Sequence, residues 1–181
     1  MISHPSLILR MKKNRKLIYL ALFLSMALVL HYVEHFFPTL APGAKLGLAN
    51  IVTLVTLYLF GFPEAMVVVV TRSILGPILG GSPTGILYSL AGGVLSCMVM
   101  AVLFFRFNRY FSLLGISVAG AVFHNVGQLL TASLLYGTIG ILFTYLPILM
   151  LSSIITGNFI GLVGKYMIRF LDKKEFHVNF S

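Results

Sequence analysis

The stretch "LLGISVAGAVFHNVGQLLTASLLY" (Leu113–Tyr136) carries no Asp, Glu, Lys or Arg, yet it holds a histidine, an asparagine and a glutamine. A bilayer core needs about 20 mostly apolar residues from a spanning helix, so the length and composition predict a membrane helix. At helical spacing Gly120, His124, Gln128 and Thr131 share one face, which Ser117 and Ala121 extend. Val122, Phe123, Val126 and Leu130 point elsewhere, and Asn125 flanks the polar stripe. Polar groups at bilayer depth are costly and normally face a bundle interior or a cavity. This segment therefore predicts a helix with one face toward lipid and one toward a polar interior.

The rest of the chain agrees. Of its 181 residues, 59% are hydrophobic and 9% charged, and the mean hydropathy is +1.00. Soluble domains carry about 25% charged residues. Five more apolar segments fit a membrane helix: Leu17–Phe37 closed by Pro38, Leu46–Phe60, Pro63–Leu79, Thr84–Phe105 and Ile139–Phe170. The second and third are the shortest. Pro63 suits a helix start, and in "GPILGGSPTG" (Gly76–Gly85) Ser82 and Pro83 suit an N-cap and first turn. The expected fold is an all-α bundle of six transmembrane helices spanning residues 17–171. A basic segment (1–16) precedes it and a short tail (172–181) follows. Leu17–Val33 exceeds the apolar core of a cleaved signal peptide and reads as a retained helix.

The net charge of +9 is concentrated at the ends: Arg10, Lys12, Lys13, Arg15 and Lys16 at one, Lys165, Arg169, Lys173 and Lys174 at the other. Arg106 and Arg109 fall on the same side of a six-helix bundle, and the opposite loops hold only Lys45. This asymmetry predicts a cell-membrane protein with both termini cytoplasmic. Basic residues facing lipid headgroups, without interleaved exposed aromatics, give no nucleic-acid surface. Cys97 stands alone in an apolar stretch and reads as a core residue.

The remaining polar residues converge on the outer half of the bundle. Arg72 lies near the middle of the third helix, where a cation costs about 2.5–3.5 kcal/mol on insertion scales. Glu34 is the acid able to reach it across the bundle; Glu64 is too far along the same helix. Arg72 either pairs with Glu34 or holds an anionic ligand. "PGAKLGLAN" (Pro42–Asn50) leads into the second helix, with Lys45 at its mouth and Asn50 a turn inside. Lys45, Asn50, Arg72, His124, Asn125, Gln128 and Glu34 thus form a candidate substrate pocket, outward-open and basic. The N-terminus of the fourth helix adds a further attraction for anions.

Several chemistries are disfavoured. "HYVEH" (His31–His35) matches an inverted zinc-peptidase pattern, but without a third ligand it reads as pocket wall or interfacial cap. "GLVGKY" (Gly161–Tyr166) only approaches a P-loop. Asp172 is the sole aspartate, so the chain cannot build the carboxylate cluster that magnesium-diphosphate chemistry requires. No catalytic residue, metal or other cofactor is expected. Small residues at four-residue spacing (Ala21 and Ser25; Gly85, Ser89 and Gly93; Gly157 and Gly161) suit close helix packing, and the first pair also suits docking of a membrane partner.

Three motifs, "PGAKLGLANIVTL" (Pro42–Leu54), "GGSPTGILYSLAGG" (Gly80–Gly93) and "GISVAGAVFHNVGQL" (Gly115–Leu129), together resemble the Gx transporter family. That family is also labelled heptaprenyl diphosphate synthase component I, and it is similar to the substrate-binding S components of energy-coupling factor (ECF) transporters. The resemblance covers about Leu17 to Leu171. It implies a six-helix protein that binds a vitamin-like or precursor-like small molecule and docks by its first helix on a transmembrane partner driven by ATPases. Ala21 and Ser25 would lie on the docking face, where S components often carry alanine at both positions. "GAKLGLAN" would gate the pocket, and His124, Asn125 and Gln128 would line it. The prenyl-synthase label implies an alternative, a non-catalytic accessory subunit of a prenyl diphosphate synthase in isoprenoid-quinone biosynthesis.

Overall fold

The computed structural model of the protein describes residues 13–36 and 47–178, all of the regular structure being helical. The elements are α1 (Lys13–Val33), a 3-10 turn (Glu34–Phe36), α2 (Asn50–Phe60), α3 (Phe62–Leu79), α4 (Gly85–Arg106), α5 (Leu113–Leu135) and α6 (Gly140–Val178). Lys45 and Pro38 lie outside the described residues. Five of these helices are long and apolar enough to cross a membrane, so the chain is a multi-pass membrane protein. The sixth, α2, has 11 residues and rises about 16 Å, half of a hydrocarbon core of about 30 Å. The expected second span, Leu46–Phe60, is thus shortened at its start: Gly47 takes a positive φ of 78° and turns the chain before the helix begins.

α2 compensates for its length by position. It packs against every other helix, and all its residues are buried except the half-buried Tyr58 and Phe60. A helix apolar on all sides belongs inside a protein. Leu54 and Leu57 join Val69, Cys97, Met100 and Ile116 in one core cluster; Val52, Val55 and Leu59 join Phe23, Ala27 and Ile168 in another. Cys97 is a buried core residue, as its setting predicts.

The ends are set by local chemistry. Pro63 occupies the first turn of α3, and Ser112 caps α5 by accepting the Gly115 N–H at 3.2 Å. The expected cap at Ser82 is different in detail. Ser82 and Pro83 form a turn ahead of α4, their carbonyls accepting Gly85 N and Ile86 N at 2.9 and 3.1 Å, and Thr84 holds the cap position without a side-chain bond.

Small residues bring the backbones together where expected. A Cβ on Gly157 would meet Val118 Cα at 2.5 Å, and one on Gly161 would meet Leu114 Cα at 3.0 Å, so α6 lies directly on α5. Ala21 and Ser25 are exposed on α1, and the Ser25 hydroxyl donates to Ala21 O at 2.9 Å. At the end where α1 begins, Lys16 pairs with Glu64 of α3. At the other end, the His31 ring rests on Gly76 of α3, where a Cβ would lie 2.6 Å from His31 Cδ2. Pairs at both ends thus run α1 parallel to α3.

Candidate functional site

The polar residues singled out in the sequence gather at the end of the bundle where α1 stops and α2 starts. Glu34, Asn50, Arg72, His124 and Gln128 are each at most 6% exposed. Arg72 Nη2 donates to Asn50 Oδ1 at 2.9 Å. The side chains of Asn50 and His124 both face Gly47: a Cβ there would stand 3.0 Å from Asn50 Nδ2 and 3.1 Å from His124 Cδ2. On α5, one turn apart, His124 Nε2 and Gln128 Nε2 are joined at 3.0 Å. With the Gln128 amide donating, the His124 ring carries its proton on Nδ1. Glu34 accepts the Leu48 N–H, and its charge also acts on Arg72 through space. Five polar side chains from four stretches of chain therefore form one buried network around the Gly47–Leu48 turn.

Glycines shape this network. Gly92 and Gly93 of α4 lie against it: a Cβ on Gly92 would meet His124 O at 2.8 Å, and one on Gly93 would stand 3.4 Å from Arg72 Nη2. A side chain at either position would press on the neighbouring groups.

Beside the network a cavity of about 360 Å³ opens at the same end of the bundle, lined among others by Ser82, Thr84, Tyr88, Ser89, Gln128 and Tyr136. Its volume is at the small end of the range for ligand sites. Gln128 belongs to both structures, since it lines the cavity and bonds His124 beneath it. The Ser73 hydroxyl donates to Ser89 O at 3.1 Å and ties α3 to this wall.

One expected contributor takes another place. Asn125 faces α6, where its Nδ2 donates to Ser153 Oγ at 2.8 Å and Leu149 O at 3.2 Å; it joins the two longest helices at their seam. The N-terminus of α4 does border the cavity, but its first N–H groups are already bonded within the Ser82–Ile86 turn, which weakens it as an anion site. Lys45, expected at the mouth, lies outside the described residues.

Tyr88 and Tyr136 were not singled out by sequence reasoning, and Ser89 was read only as a helix-packing residue. Tyrosines near the ends of membrane helices ordinarily read as an interfacial belt. The available signal was Ser89, which sits between Gly85 and Gly93 at four-residue spacing.

Fold and site together define a multi-pass helical membrane protein with a buried polar network and an adjoining cavity at one end. The model of the heptaprenyl diphosphate synthase component I family matches residues 23–167, and the chain belongs to that family. No curated protein and no solved structure matches it.

Proposed function

We propose that this chain is a non-catalytic membrane subunit that binds a polar or anionic small molecule. In the reading we favour it is the substrate-binding component of an uptake transporter, similar to an ECF S component and energised by a partner ATPase module. The observation that carries it is the Glu34–Asn50–Arg72–His124–Gln128 network, which borders a cavity and gathers under the turn that enters α2. A network so costly to bury within a membrane bundle is best explained by a guest. Both termini then face the cytoplasm, the cavity loads from outside, and the exposed face of Ala21 and Ser25 meets the transmembrane partner.

A second reading draws on the family's description, which favours it over transport: an accessory subunit of a heptaprenyl diphosphate synthase, with catalysis in the partner. Both readings keep the chain non-catalytic, and they differ in what it assembles with. Purification of the full chain in detergent, followed by mass spectrometry of co-purifying proteins, separates them. An ATPase pair with a membrane partner supports transport. A prenyl diphosphate synthase in stoichiometric amount overturns transport and supports the second reading. In either case His124→Ala is expected to lower retention of co-purifying small molecules while the protein stays folded, and unchanged retention removes the site assignment.

A further inference from the structure

The cavity and the Arg72 network lie at two depths, and two helices give the offset independently. On α4, Ser89 lines the cavity and Gly93, four residues on, faces the Arg72 guanidinium. On α5, Gln128 lines the cavity and His124, four residues earlier, belongs to the network with Asn50 and Gly47. Four residues of helix rise about 6 Å. The Gln128 amide spans the step between the two levels.

The levels differ in chemistry. The upper one offers hydroxyls of Ser82, Thr84 and Ser89, the Gln128 amide, and the rings of Tyr88 and Tyr136. Such a wall suits an uncharged, hydrogen-bonding body of about ring size. The lower one is rich in donors. Arg72 Nε and Asn50 Nδ2 are buried without a hydrogen-bond acceptor among the described residues, although the two side chains are bonded to each other. Buried donors left unsatisfied are expensive, so these two, one of the guanidinium itself and one of the adjoining amide, call for an acceptor. A guanidinium and an amide together fit the oxygens of a carboxylate or phosphate. Glu34 does not fill that place by hydrogen bonding to these two atoms; it holds the Leu48 N–H.

We propose that the site takes a two-part ligand, with an uncharged ring-sized body in the cavity and a carboxylate or phosphate about 6 Å deeper, on Arg72 and Asn50. The proposal rests on the binding reading above and adds the ligand's class and its orientation, acid end inward. Gln128 is the partition that the acid must pass.

The test passes an aqueous metabolite extract and, separately, a lipid extract over the immobilised full chain in detergent, and identifies retained compounds by mass spectrometry. Retained compounds are expected to combine a ring or similar compact body with an acidic group. Their retention should fall about tenfold or more in Arg72→Gln, less in Arg72→Lys, and also in Tyr88→Ala. Gln128→Glu, which sets a negative charge on the path, should expel the acids even if Arg72→Gln fails to fold. The extract that supplies the acid tells a free solute from a lipid headgroup. Retention of uncharged compounds that depends on Tyr88 and ignores Arg72 and the Gln128→Glu charge overturns the two-part ligand and leaves the binding reading standing. Retention of nothing overturns both.

Discussion

Gly47 holds the chain in a conformation that other residues adopt only at a cost of about 1–2 kcal/mol, and it does so against two polar side chains. Gly47→Ala should therefore do more than strain a turn. Its Cβ would press on Asn50 Nδ2 at 3.0 Å and on His124 Cδ2 at 3.1 Å, the groups that lead to Arg72 and Gln128. We expect thermal unfolding in detergent to fall by several degrees, and retention of co-purified small molecules to fall with it. Full retention with lowered stability would show that the turn is a structural element alone. The sequence made the polar members of this site legible, because a buried Arg, His or Gln stands out in a membrane segment. It also predicted that they converge, and left hidden that Asn125 stands apart from the rest. Asn125 and His124 are adjacent in sequence, yet one joins α6 and the other joins the network, because a step of one residue turns a helix by about 100°.

At the scale of elements, small residues decide how closely the helices approach. Gly157 lies over the backbone of Val118, so Gly157→Ala has no flexible neighbour to displace. We expect it to lower stability by about 1–3 kcal/mol through forced separation of α5 and α6. Phe159→Ala, on the exposed side of the same helix, should change it by about 0.5 kcal/mol or less. Comparable unfolding temperatures for the two variants would contradict the packing described. Four helix ranges were readable from hydropathy to within four residues, and the last ran eight residues past its expected end at Phe170, since lipid demands long uninterrupted apolar runs but sets no limit on a helix that continues beyond them. The second was not, because hydropathy cannot tell a residue buried in protein from one facing lipid. Leu46–Leu48 are as apolar as a helix start, and the left-handed turn at Gly47 is a matter of backbone geometry.

For the molecule as a whole, we propose from the distribution of basic residues that both termini lie in the cytoplasm. Replacing Cys97 by Ser and adding a single cysteine near either end tests it. A membrane-impermeant thiol reagent should label Ser6→Cys and Ser181→Cys only after the cells are opened, and labelling of either in intact cells would overturn the orientation. The short α2 has a further consequence. Five helices meet the lipid and must match its thickness, whereas α2 is held by protein on all sides and need not. A thinner bilayer would tilt or draw in the outer five while leaving the inner segment at its own height. The mouth of the cavity is built from outer helices, and Asn50 stands at the top of the inner one. On the proposed binding reading, bilayer thickness thereby becomes a control on the distance between the rim and the floor of the site, and vesicles of graded acyl-chain length are expected to change ligand affinity with no change in the protein.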